Sequence, residues 1–356
     1  MITIAIGLSI ILLLVILYLL FRIGTLASIF RGSTERAAGT TKVSNRVNGT
    51  LLLLFLIVGG AAFAWSFVDA WDTMNLPLAS LHGEWTDSLF WTTMTVIGVV
   101  FVITQILLFI YSYKYQHKDN KRAFYYPHNN KLEIVWTLIP AVVMALLVFG
   151  GWQTWTKITS AAPDNAVVVE IVGKQFNWMV RYPGQDGKLG VAKTSLIDAT
   201  NELGVDFSDP NSHDDIINPL QIHVPKGKPV LLKIRSRDVI HSVFMPHFRL
   251  KMDAVPGMPT KFWFVPTKTT AEMATETGNP DFKYELACTE ICGRGHFAMR
   301  YVIVVDEPED YEAWLASQKP FVEQNPQVLA KFQQESSEKL VADAEKGTAE
   351  EVKTEL

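Results

Sequence analysis

The stretch Cys288-Thr289-Glu290-Ile291-Cys292-Gly293-Arg294-Gly295-His296-Phe297-Ala298-Met299 holds two thiols, an imidazole and a thioether, and it contains every cysteine of the chain. Soft sulfur donors mixed with imidazole favour copper, because a thioether is a usual weak axial donor to copper and has little affinity for zinc. Zinc would ask for a further Cys or His pair, and no other cysteine exists. On an ideal helix positions 288, 292, 296 and 299 would share one face. Gly293 and Gly295 argue instead for a tight loop that folds the donors around a centre.

One imidazole is too few for two metal ions. A second lies upstream in Asp238-Val239-Ile240-His241-Ser242-Val243-Phe244-Met245-Pro246, where His241 is expected at the end of an apolar, β-rich run. One early donor followed by a late loop is the order in which a β-sandwich copper site is assembled.

With Lys251-Met252-Asp253-Ala254-Val255-Pro256-Gly257 between them, His241, Cys288, Glu290, Cys292, His296 and Met299 resemble subunit II of the haem-copper cytochrome c oxidases at its dinuclear copper A centre. Nitrous oxide reductase shares that centre. The resemblance implies that both thiolates bridge a pair of copper ions, that His241 and Met299 complete one, and that His296 with the backbone carbonyl of Glu290 completes the other. A bridged pair spreads the transferred charge, so little has to move when an electron arrives. The resemblance also implies that the Glu290 carboxylate reaches a magnesium ion shared with subunit I; carboxylate and water suit magnesium. Asp253 is expected near that seam, or as a hydrogen-bonded turn residue. The plainer readings of the motif are a disulfide and a core methionine.

The chain splits sharply at about residue 155. Four apolar runs, 2–21, 50–68, 88–113 and 132–153, approach the ~20 residues that span a bilayer. The loop after the first carries Arg22, Arg31, Arg36, Lys42 and Arg46, and the loop after the third Lys114, Lys118, Lys121, Arg122 and Lys131, which places both in the cytoplasm. Asp69, Asp72, Glu84 and Asp87 suit the outside. Both termini and the soluble domain are then periplasmic in a bacterial inner membrane. The first run lacks a basic start and a small-x-small cleavage site, which favours a retained helix over a signal peptide. Gly59-Gly60-Ala61-Ala62 would let a neighbouring helix approach closely. A net charge of −4 without a basic patch gives no sign of nucleic-acid binding.

Leu132-Glu133-Ile134-Val135-Trp136-Thr137-Leu138-Ile139-Pro140 also resembles the oxidase family, where it opens the second helix of a hairpin. An ionisable residue at the mouth of a membrane helix is a functional candidate. The resemblance implies that Glu133 helps admit protons to a channel in subunit I; a hydrated anion at a helix N-terminus is the alternative. The family uses only the hairpin, so the two earlier helices are left for docking another subunit or an electron-donating complex in the membrane.

From Ala166 the runs 167–172, 175–182, 229–235, 260–265, 283–286 and 300–305 are short, rich in β-branched and aromatic residues, and bounded by Gly and Pro. They predict a Greek-key sandwich of cupredoxin type behind transmembrane helices, an α+β membrane protein. The expected divisions are two extra helices over 1–70, the hairpin over 71–155, the copper domain over 156–318 with a polar insertion at 184–218, and a charged tail over 319–356. Asp206, Asp209, Asp214 and Asp215 of the insertion are placed to meet a basic electron carrier, or else to be a solvated loop. In Gln175-Phe176-Asn177-Trp178 the family's aromatic patch is only partly kept, leaving Trp178 as a core residue or as the point where electrons arrive. His82, His117, His223 and His247 are given no role, and the tail from Pro320 is expected to be an exposed helix or disordered.

The reading that results is the electron-accepting subunit of a terminal cytochrome c oxidase, fed by cytochrome c or a similar periplasmic donor and passing electrons, through His296, to haem in subunit I. Oxygen reduction to water and most of the proton pumping belong to that partner. No Cys-x-x-Cys-His is present, so no covalent haem is expected. The rivals are a quinol-oxidase subunit, which resembles this chain but lacks the ligand set, and a membrane scaffold with a disulfide-closed β-domain.

Overall fold

The computed structural model describes residues 2–30, 34–118, 121–122, 124–217, 219–332 and 334, with side chains in the first two helices described at Gly7, at 11–27 and from Val43 onward. Arg31, the side chains of Arg36 and Lys42, and the tail beyond residue 334 lie outside the described residues.

The first part of the chain is helical: α1 (Ile2–Phe30), α2 (Thr34–Asp69), the short α3 (Trp71–Met74), α4 (Leu81–Lys114) and α5 (Asn130–Ile158). The stretch Val43–Asp69, α4 and α5 are long and apolar enough to cross a membrane, and the described stretch of α1, Ile11–Ala27, is apolar as well. Leu146 and Val148 of α5 are each 67% exposed, which suits lipid and not water. Most of the basic segment expected as a loop between the first two spans is instead helix. Extending a helix already nucleated costs far less than starting one, so α1 and α2 run beyond their apolar cores.

Two compact units divide the chain, residues 1–74 with 92–143, and residues 75–91 with 144–356. Within the first, α2 meets α4 through Phe55 on Phe109 and Phe63 on Phe101, ring centroids 5.7 and 6.0 Å apart. A Cβ on Gly59 would meet the ring of Phe55 first, at 3.7 Å, and one on Gly60 nothing within 4 Å.

The second unit is a sandwich of two five-stranded sheets. Its strands are β1 (Val167–Lys174), β2 (Asn177–Tyr182), β3 (Ile216–Ile217), β4 (Ile222–Pro225), β5 (Val230–Ser236), β6 (His241–Met245), β7 (Leu250–Ala254), β8 (Thr260–Phe264), β9 (Tyr284–Cys288) and β10 (Arg300–Asp306). One sheet runs β3-β2-β1-β5-β8 and the other β4-β10-β9-β6-β7. Parallel pairing of β1 with β5 and of β10 with β4, among otherwise antiparallel neighbours, shows the crossovers of a cupredoxin-like key. Alternation decides which face is inside: Val230, Leu232 and Ile234 of β5 are fully buried, whereas Lys233 between them is exposed. They meet Val243, Leu286, Ile303 and Val305 of the facing sheet in one core.

Residues 75–91 are tied into this sandwich. Ala79 is fully buried in the core, Ser80 Oγ donates to the Phe248 carbonyl at 2.7 Å, and Arg249 grips both oxygens of Asp87 at 2.8 and 3.0 Å.

The polar insertion behaves differently from a free acidic loop. Asp215 is fully buried and pairs with Arg181 at 2.8 Å, and Arg181 also holds Glu170 at 2.7 Å. Asp206 is buried against Lys193, Asp209 caps the turn Pro210–Ser212, and Asp214 accepts the Asp186 N–H. Asp215 and Asp206 are thus buried in ion pairs, which corrects for these two the expectation of a landing surface for a basic carrier; Asp209 and Asp214 are half-buried and accept backbone N–H groups. Leu203, Val205 and Phe207 build a second small core on Val172 and Met179, closed by Phe321, Val322, Val328, Leu329 and Phe332. The start of the tail is thus packed rather than exposed, because its few apolar residues cover an otherwise open sheet face.

Burial raises the Asp215 carboxyl to about 6 against the pull of Arg181. The folded state therefore holds this proton to higher pH than the unfolded chain does. Its contribution to stability is complete below about pH 4 and is lost as pH rises through about 6, a change of about 2–3 kcal/mol. Glu170, whose carboxyl is held low by Arg181 and Arg235 despite its burial, works in the opposite sense. Asp215→Asn isolates the first effect: urea unfolding between pH 4 and 7 should show a flatter profile than the parent, and parallel profiles would contradict the assignment.

Candidate metal centre

Sheet adjacency assembles the site. β6 opens on His241, and its Val243 lies opposite Cys288 at the end of β9. His241 therefore starts a strand and does not end one as expected, because the Asp238 turn precedes it. Beyond Cys288 the chain loops through Gly293, whose φ of 135° is open to glycine, into the turn His296–Ala298 and on to β10. Cys288 N–H donates to the Met299 carbonyl at 3.1 Å and Thr289 N–H to that of Ser242 at 3.2 Å, closing the loop at its base.

Six donors converge there. His241 Nδ1 lies 3.9 Å from Cys288 Sγ, the two Sγ atoms are 4.0 Å apart, and Cys292 Sγ lies 3.6 Å from His296 Nδ1 and 3.3 Å from Met299 Sδ. Cys288 Sγ also meets the Glu290 carbonyl at 3.2 Å. Ligating atoms of His241, Cys288 and Cys292 all fall within 4.8 Å of one another, and all three residues are buried. Both cysteines are free thiols. Burial and the neighbouring Cys288 push the Cys292 thiol up to about 11, so a metal must displace its proton. Two thiols, two imidazoles, a thioether and a carbonyl are a donor set that fits copper.

Sequence profiles for cytochrome c oxidase subunit II match the chain twice, the periplasmic domain over residues 167–306 and the transmembrane domain over residues 70–153. The alternative cytochrome c oxidase subunit 2 of Bradyrhizobium diazoefficiens is 35% identical over 274 residues, 76% of this chain and 92% of the relative. The chain belongs to the cytochrome c oxidase subunit II family.

Cytochrome c oxidase subunit 2 of Cereibacter sphaeroides is 25% identical over 235 residues, 62% of this chain and 72% of that one. The crystal structure of the periplasmic domain of subunit II (CoxB) of Bradyrhizobium japonicum is 26% identical, covers 44% of this chain and 96% of its own, and gives a TM-score of 0.30. This subunit II is thus a membrane protein of an oxidoreductase complex, and the family implies copper.

Trp178 of this subunit II is only 1% exposed, its indole N–H turned to the Met299 carbonyl at 3.4 Å and its ring 5.9 Å from that of His241. Phe176, by contrast, is 40% exposed and pressed on Gly293 and Gly295. Glu290 is exposed, and Asp253 accepts the Ser242 hydroxyl at 2.7 Å. Glu133 stands exposed in the first turn of α5, accepting the Asn129 N–H at 3.3 Å. His247 packs on Phe282 and Tyr284 away from the donors, and His223 stacks on Trp314.

The sequence reading passed over Gly173, Asp238 and Gln175. A Cβ on Gly173 would stand 2.6 Å from His241 Cδ2. Gly173→Ala should push the imidazole aside and weaken copper binding by at least the ~10–100-fold that follows loss of a ligand's supporting contact. Copper titration of the purified variant checks this, and parental affinity would refute it.

Proposed function

We propose that this chain is the electron-accepting subunit of a terminal cytochrome c oxidase, with a dinuclear copper A centre held by His241, Cys288, Cys292, His296, Met299 and the Glu290 carbonyl. The observation that carries the reading is the convergence of those donors around two free, buried thiols. Copper bound there would supply a one-electron store of low reorganisation. The chain's part is to present the thiols and imidazoles in a rigid, water-poor pocket between β6 and β9. Electrons are taken from cytochrome c or a similar donor and delivered to haem in subunit I, where oxygen is reduced and protons are pumped. The basic loops and the acidic loop between α2 and α4 favour an inner-membrane protein with its sandwich in the periplasm. The exposed Glu290 carboxylate suits a magnesium ion shared with subunit I, and Glu133 suits proton uptake from the cytoplasmic side.

Metal analysis with electron spin resonance of the purified full chain tests this. A copper pair with one spin shared over both nuclei is expected; a metal-free protein with Cys288 bonded to Cys292 would sink it. Met299→Leu should keep the copper and shift its reduction potential, since a thioether is a weak ligand. Redox titration reads that shift, and loss of copper would contradict it.

A further inference from the structure

We propose that Asp238 and Gln175 form a hydrogen-bonded clasp that positions His241 and the cysteine loop for the metal. The inference rests on the copper reading above. His241 turns Nδ1 toward Cys288 Sγ, while its Nε2 meets Asp238 Oδ1 at 2.9 Å. A carboxylate only accepts, so Nε2 carries the hydrogen and Nδ1 keeps its lone pair for a metal. The other carboxylate oxygen of Asp238 accepts the Gln175 backbone N–H at 2.7 Å. Gln175 in turn donates its side-chain amide to the Cys292 carbonyl at 2.6 Å.

A continuous path thus runs from one ligand, His241, through Asp238 and Gln175 to another, Cys292. It joins pieces of chain 63 and 117 residues apart. Asp238 is itself steadied by the Val239 N–H, which donates to Oδ1 at 2.7 Å. Partners of this kind fix ring orientation and raise ligand basicity, and their loss typically costs about 10–100-fold in metal affinity. Here both ends of the ligand set are tied to one carboxylate, so the imidazole and the loop are set relative to each other before a metal arrives.

The Asp238 side chain is also 31% exposed, and a surface carboxylate beside the site is equally a contact for a basic donor. The two roles separate in measurement. Asp238→Ala, Asp238→Glu and Gln175→Ala are made in the full-length chain, which is titrated with copper and examined by electron spin resonance and redox titration; KM for the donor is measured in the assembled oxidase. Positioning predicts copper affinity about 10–100-fold lower in Asp238→Ala, with changed hyperfine couplings and a shifted potential. Gln175→Ala should move the same quantities less, and Asp238→Glu should recover part of them. Gln175 is exposed, so its variant keeps the test decisive if Asp238→Ala does not fold. Parental affinity, spectrum and potential in both alanine variants, with only KM and its salt dependence altered, would overturn the clasp in favour of donor contact. A parent chain that takes up no copper would overturn the underlying reading instead.

Discussion

Cys292→Ser is expected to abolish the shared-spin copper signal and to lower oxygen consumption by the assembled oxidase to background. Cys292 is the hub of the donor set, since its Sγ alone faces Cys288, His296 and Met299. A serine hydroxyl is a hard donor that stays protonated at neutral pH, so it neither bridges soft copper nor neutralises its charge. The loss should exceed the ~10–100-fold that follows removal of a mere supporting partner. Copper content, the spin-resonance spectrum and oxygen uptake with a cytochrome c donor are the measurements. An unchanged copper spectrum would show that the thiol of Cys292 is not a bridging ligand. The residue is buried, so circular dichroism of the variant must first show an intact sandwich.

Arg181→Ala should give the largest loss of stability. The guanidinium is 2% exposed and lies between two buried carboxylates, Glu170 and Asp215, with a third bond to the Gly190 carbonyl at 2.9 Å. Removing it leaves Asp215 buried without a cation and Glu170 with Arg235 alone, and breaking a buried pair in this way typically costs about 3–5 kcal/mol. For a domain of this size that is a fall in melting temperature of roughly 10 °C. Replacing the Arg181–Asp215 pair together, as Arg181→Met with Asp215→Asn, should cost less than the single change, because Glu170 keeps Arg235 at 2.8 Å and no buried carboxylate is then left without a cation. Thermal melts of the three proteins decide it. A single variant within about 1 kcal/mol of the parent would mean that water reaches the cluster and screens it.

Ile291 and Phe297 are 85% and 81% exposed beside the ligands, and Phe176 lies over the loop glycines. From sequence Trp178 was either a core residue or the point where electrons arrive. Period-two alternation turns Trp178 and Val180 inward on the core face of β2.

The long apolar helices, the β-rich character of the second half and the clustering of Cys, His and Met were legible from residue types alone. Runs of apolar residues, alternating β-branched residues and a dense Cys-His-Met cluster are local signals, and local signals survive in one dimension. Tertiary structure alone decided which backbone brings His241 beside Cys288, that Asp215 and Asp206 of the insertion turn to Arg181 and Lys193, that the tail's first turns seal a second core, and that Gly173, Gln175 and Asp238 stand behind the donor set. Each of these is a pairing across many residues, set by sheet order and strand register, and a lone glycine, glutamine or aspartate carries no mark in the sequence of what will be folded against it.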